Sequence, residues 1–177
     1  MTASTLDTPA KRLATPHRLR FVTPAIALFS RIPEALIAFL GRFSIAAVFW
    51  KSGQTKIDGF SLDFIAGDFT FGLPKLADSA IMLFEHEYAL PLLPPTLAAM
   101  LAAFAEHVFP ILILIGLATR FSALALLGMT LVIQFFVYPG AYPTHGIWAT
   151  VLLYLIARGP GAFSIDHWIA RRYQDGR

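Results

Sequence analysis

Cysteine is absent from the 177 residues of this chain. One absence removes disulfides, thiolate nucleophiles, iron–sulfur ligation and cysteine zinc sites, and leaves the redox compartment open. Charge is scarce too: Asp, Glu, Lys and Arg make up 14% of the residues, against about 25% in soluble domains. No phosphate-cradling glycine loop, nucleophile elbow or HExxH run occurs, so no motif points to nucleotide, serine-hydrolase or zinc-protease chemistry. No basic stripe alternates with aromatics, which argues against a nucleic-acid partner. What remains is apolar. Hydrophobic residues reach 56% and the mean hydropathy is +0.64, the balance of an integral membrane protein.

The hydropathy pattern predicts an all-α fold, a four-transmembrane-helix bundle with interfacial helices. Residues 1–32 form a basic, Pro- and Thr-containing tail with an interfacial segment, FVTPAIALF, whose short apolar run holds Pro24 and lacks a small-residue cleavage pattern. A membrane domain follows over 33–170, with spans near 33–52, 95–117, 121–138 and 144–158; the closing AFSIDHWIARRYQDGR reads as an amphipathic interfacial helix anchored by Trp168, with residues 171–177 as the C-terminal tail. Between the first two spans, residues 51–94 carry Gly53, Gly59, Gly67 and Gly72 and six acids from Asp58 to Glu87. They read as a long functional loop with one short interfacial helix over 78–89. Ala118-Thr119-Arg120 is a tight turn between the second and third spans. Arg31, Arg120, Arg158, Arg171 and Arg172 fall on one side of this arrangement and the acidic loop on the other, which by the positive-inside rule puts both termini in the cytoplasm.

Three ionisable residues stand out within or beside apolar runs: Arg42, Lys56 and Glu106. A carboxylate near the bilayer midplane costs about 2.5 kcal/mol or more and has to face the bundle interior and find a partner. At about 1.5 Å per residue, Arg42 lies roughly 13 Å from the start of its span and Glu106 roughly 16 Å from the outer end of its own, so both approach the midplane and are expected to pair. The pair serves either as a lock on helix register or as part of a binding site. Pro110 cannot donate to the carbonyl of Glu106, so that acceptor also needs an answer from inside the bundle. Ala99, Ala102 and Ala103 leave room beside it. A further polar set, Gln134, His145 and Trp148 with Lys51, Gln54, Lys56 and Tyr142, is expected toward the outer half, where together with Glu106 it lines a pocket opening outward; His107 and His145 are the two histidines a haem would need. Histidine or glutamine donors beside an aromatic ring suit a quinone carbonyl, and an ordinary polar interface belt is the other reading. Glu85-His86-Glu87 and Glu106-His107 put neighbours on different sides of a helix, so no metal site is expected.

The chain resembles the DoxX family of small four-span bacterial membrane proteins. The likeness covers about residues 34–170 and is carried by Arg42, Gly53-Gln54-Thr55-Lys56, LFEHEYALPLLPP, AEHVFPILILIGLATRFSALALLGM and GPGAFSID. His86 stands where relatives carry an aromatic residue. The resemblance implies a multi-pass protein of the bacterial inner membrane, with recurring charged positions at Arg42, Lys56 and Glu106. It also implies an association with quinone-linked or oxidative-stress oxidoreductase complexes. The expectation is therefore a subunit or accessory of such a system, with partner subunits in the bilayer and a quinone-sized pocket at the midplane to outer half. Arg42, Lys56, Glu106, His107, Gln134, His145 and Trp148 are its candidate lining. A small proton-coupled transporter and a structural anchor recruiting partners are the alternatives.

Overall fold

The computed structural model describes residues 22–63 and 67–175. The tail expected over residues 1–20 lies outside them. The chain divides into two compact units, at Pro33 and Glu34. In the first, α1 (Val22–Phe29) is a two-turn helix that exposes Ile26, Leu28 and Phe29.

In the second unit, α2 (Glu34–Gln54), α4 (Pro95–Ile115) and α5 (Thr119–Val132) form the bundle with α6 (Tyr142–Arg158). A wider turn, Ile133–Val137, extends α5, and its backbone closes with Tyr138 N–H donating to Ile133 C=O, five residues back. Among the described residues, three helices are long and apolar enough to cross a membrane: Glu34–Gln54, Pro95–Ile115 and Thr119–Val137. α6 has 17 residues and packs on α5 and α2. The expected span boundaries thus shift by a few residues, and the first span runs on to Gln54.

The packing is that of helices in lipid. Side chains of the interior are small: Ala38 and Ala46 on α2, Ala98, Ala99, Ala102 and Ala103 on α4, Ala123 on α5. Large apolar residues such as Phe43, Phe104, Ile111 and Leu124 face outward. With lipid tails as apolar as leucine, close backbone approach decides which face turns inward. Ile45, Phe49, Ile113, Leu126, Leu152 and Leu155 fill the space that remains between the four helices.

The segment between α2 and α4 corrects one expectation. Rather than an irregular loop, it holds an antiparallel hairpin of β1 (Ile57–Asp63) and β2 (Asp68–Leu76), followed by α3 (Asp78–Leu83) and a wide helical turn, Phe84–Tyr88. The helical class stands, and the hairpin adds to it. Register slips between Asp58 and Phe60, where Gly59 has φ +84° and a Cβ on it would fall 2.6 Å from the Leu73 carbonyl oxygen. Only glycine adopts that conformation in that space. The short helix expected over 78–89 is present and ends at Ala89, in the left-handed region at φ 38°. α7 (Ile165–Asp175) takes in residues 171–175, which were expected as tail.

α2 and α4 lie in close contact at Gly53. A Cβ there would lie 2.9 Å from His107 Cε1 and 3.0 Å from the carbonyl oxygen of Glu106. Gly53→Ala is therefore expected to cost about 1–3 kcal/mol by overpacking. Gly128→Ala, with nothing within 4 Å of the added carbon in the interior of α5, should leave stability unchanged or raise it by up to about 1 kcal/mol. Thermal unfolding of both variants in detergent checks this, and equal midpoints would show the contact is not close.

Candidate functional site

Glu106 lies 3% exposed on the inner face of α4, and its carboxylate meets the Lys56 ammonium at 2.7 Å. Lys56, equally buried, reaches it from the first residues after α2. Ser52, one turn back, joins the two: its hydroxyl donates to Glu106 Oε1 at 3.1 Å and accepts from Lys56 Nζ at 3.1 Å. The third donor of Lys56 points to the Ser52 carbonyl at 3.3 Å. The Lys56 backbone completes the junction, accepting from Ala77 N–H at 3.0 Å and donating to the Gly53 carbonyl at 2.9 Å. The ion pair thus sits where the helix hands over to the hairpin.

His107 faces the neighbouring side of the same contact. Its Nδ1 is 2.7 Å from the Ala103 carbonyl, an acceptor, so Nδ1 carries the proton. Nε2 then accepts from the Gln54 amide at 2.9 Å, and Gln54 Oε1 accepts the Leu62 N–H at 2.7 Å. Trp50 Nε1 donates to the Leu62 carbonyl at 3.2 Å, and its ring meets His107 edge-on at 5.1 Å. Both backbone groups of Leu62 that point away from β2 are thereby taken up by α2 side chains, which fastens the hairpin edge to the bundle.

Arg42 is the main correction. Its expected partner was Glu106; instead its Nη2 donates to the Phe163 carbonyl, and its Nη1 lies against Gly116, where a Cβ would clash with it. Gly116 is ten residues beyond Glu106, roughly 15 Å along the helix. The reason is the register of two antiparallel helices: Gly53 lies against Glu106, and Arg42 stands eleven residues before Gly53, roughly 16 Å along α2 and level with Gly116. Depths counted from each span's own end do not give that register.

The outer polar set also divides. Gln134 and His145 bond each other, Nδ1 to Oε1 at 2.8 Å, and Gln134 donates to the Pro139 carbonyl at 2.7 Å. Trp148 covers the pair, 5.1 Å from the His145 ring and 5.6 Å from Phe49. Gln54 belongs to the His107 set, while Lys51 and Tyr142 are exposed. Among the described residues no group of three or more His, Asp or Glu is placed to hold a metal ion.

Two hydrogen-bonding partners were not foreseen. Ser52 carried no signal, since a serine near a helix end is commonplace. Asp166 did carry one, in the Ser164-Ile165-Asp166 run after the glycine breaker. Its carboxylate accepts the Ala118 and Thr119 N–H groups at 2.8 and 3.0 Å, and Ser164 Oγ accepts the His167 N–H at 3.2 Å. Each carboxylate or hydroxyl thus answers orphan donors at a helix start.

A third cluster stands at the membrane edge. Tyr138 Oη donates to the Glu87 carboxylate and stacks edge-on against Tyr88 at 5.7 Å, which in turn meets Phe84 at 4.7 Å. The bond to Glu87 pushes the Tyr138 phenol well above the ordinary tyrosine range. Tyr88 is raised chiefly by burial, with the Tyr138 bond opposing and the Glu106 and Glu87 charges adding.

A helical domain with three membrane-length apolar helices and a buried lysine–glutamate pair between two of them is a polytopic membrane protein of the bilayer. The DoxX family model matches residues 37–139, from α2 to the end of α5, and the chain belongs to the DoxX family. No curated protein and no solved structure matches it.

Because neither buried charge tolerates the loss of the other, Lys56→Met or Glu106→Leu alone is expected to cost about 3–5 kcal/mol. The double variant should cost less than the sum, and additive losses in detergent unfolding would show the pair uncoupled. For the phenols, a raised pKa means that the folded chain holds protons that the unfolded chain has released. Stability is then unaffected below about pH 10 and falls as pH rises beyond it. Phenolate absorbance should show Tyr138 titrating late, and Glu87→Gln should bring it back toward the ordinary range. An unchanged titration would exclude the Glu87 bond.

Proposed function

We propose that this protein is a four-span subunit of the bacterial inner membrane, with cytoplasmic termini. In this reading it is accessory to an oxidoreductase system, and the Lys56–Glu106 cluster receives a quinone headgroup. The observation that carries the reading is the crowding at the Ser52 carbonyl. That oxygen accepts from Thr55 Oγ1 at 2.7 Å and Thr55 N–H at 3.2 Å, with Lys56 Nζ third and longest at 3.3 Å. Two lone pairs are already answered without the lysine. One N–H of Lys56 is thus free to turn to another acceptor at almost no loss, while Glu106 and the Ser52 hydroxyl keep the ammonium in place. A quinone carbonyl is such an acceptor, and Trp50 and His107 supply flat rings on the neighbouring side.

For the fourth span, α6 at 17 residues is about 25 Å long. Its Leu152 and Leu155 are buried in the same core as the three longer helices. For the orientation, Arg120 and Arg158 lie at the Gly116 end, and the acids of β1, β2 and the Phe84–Tyr88 turn lie at the other. Redox chemistry itself would rest with partner subunits and the quinone, since no thiol is available.

The expected result is saturable quenching of tryptophan fluorescence by a short-chain quinone in purified wild-type protein. Affinity should fall about tenfold or more in Lys56→Gln, as a charge-assisted hydrogen bond is lost. Quinone that fails to saturate, or that binds Lys56→Gln and Glu106→Gln as it binds wild type, would remove the quinone from the reading.

A further inference from the structure

At the end of the bundle away from the hairpin, buried donors are left over. Arg42 Nε and Nη1 and the Thr119 hydroxyl are buried without a hydrogen-bond partner among the described residues, on side chains 1% and 0% exposed. A buried polar group without a partner loses about 1–3 kcal/mol, more when charged, so three together mark a place where something accepts. Thr119 stands at one feature of the surface, and Arg42 lies buried behind its α2 wall. An open groove of about 940 Å³ runs between the start of α2, the α4–α5 turn and the loop before α7. Thr119 lines it, and Ala38, on its α2 wall, lies one turn from Arg42 on the same helix face. The loop that forms its far side supplies the Phe163 carbonyl that holds Arg42 Nη2.

The groove is cationic where it is not already neutralised. Arg120 and Arg158 stand at its mouth, and its acids are Asp166 and Glu34. Asp166 is committed to the Ala118 and Thr119 N–H groups, and Glu34 lies 3.7 Å from Arg158. Arg120 has no ion-pair partner among the described residues. What fits spare N–H and O–H donors under a ring of guanidinium groups is a phosphate. Two lining residues say where that phosphate comes from. Phe121, 65% exposed, and Tyr154 give the same groove an apolar edge at the end of membrane-length helices. A free phosphate has no use for such an edge, whereas a glycerol backbone and acyl chain do.

We propose that this groove seats the headgroup of an anionic phospholipid. Its phosphate accepts from Thr119 Oγ1 and lies over the buried Arg42 charge, Arg120 closes over it, and Phe121 lies along the acyl chain. The site is separate from the Lys56–Glu106 cluster and does not depend on the quinone reading.

The test is native mass spectrometry of full-length protein exchanged into phosphatidylglycerol or phosphatidylcholine. Wild type is compared with Thr119→Val, which keeps the side-chain shape, and Arg120→Gln, which changes an exposed residue. Phosphatidylglycerol retained about tenfold better than phosphatidylcholine, with that preference reduced in both variants, supports the site. Equal retention of the two lipids, or a preference that neither variant alters, overturns it. A parallel arm adds millimolar inorganic phosphate. Lipid adducts that survive it support the proposal, and their complete displacement would assign the donors to free phosphate and overturn the lipid.

Discussion

The Lys56–Glu106 ion pair is the interaction on which the rest of this membrane domain depends. Neither charge is tolerable alone between apolar helices, and their partnership requires α2 and α4 to meet at one depth and one rotation. Gly53 permits the approach, and the missing Cβ lets α2 lie against the Glu106 carbonyl that Pro110 cannot serve. Ser52 completes the hydrogen bonding, and the Lys56 backbone ties the first strand to the start of α3. A single contact thus fixes helix register and the exit geometry of everything between the first two long helices.

The two ends of the bundle solve the same problem differently. On the hairpin side, histidine, glutamine, tryptophan and the edge of β1 satisfy one another, so polar side chains stitch a small sheet onto a membrane helix. On the opposite side, Asp166 and Ser164 fold the chain back over the α4–α5 turn and bring a carbonyl to Arg42, yet donors remain over. Polar side chains hold a strand at one end, and buried donors without partners among the described residues stand at the other.

Much of the candidate site was legible because burying a charge is costly. Arg42, Lys56 and Glu106 stand in or beside apolar runs, and the rule that such residues turn inward holds for all three. The pairing was not legible, because a depth counted from the end of each span does not give the register between two helices, which the Gly53–Glu106 contact sets. The hairpin was hidden for a different reason. Its alternation is interrupted by Gly59, Gly72 and Pro74, and Phe71 and Leu73 are 78% and 85% exposed, so the inward-apolar pattern that marks a strand is missing. Ser52 and Asp166 act across long sequence separations that no local pattern records.

By itself the sequence determined the class of protein, the long apolar helices, the tight α4–α5 turn and the inward placement of the charges. All of these follow from local hydropathy and from the penalty for charge in lipid, which act wherever the residue ends up. Only the tertiary structure decided that Glu106 belongs to Lys56, that Arg42 serves the opposite end, and that Gln54 and Trp50 hold a strand. Those outcomes depend on the antiparallel course of α2 and α4 and on how closely Gly53 lets them approach. That geometry exists only once both helices are in place.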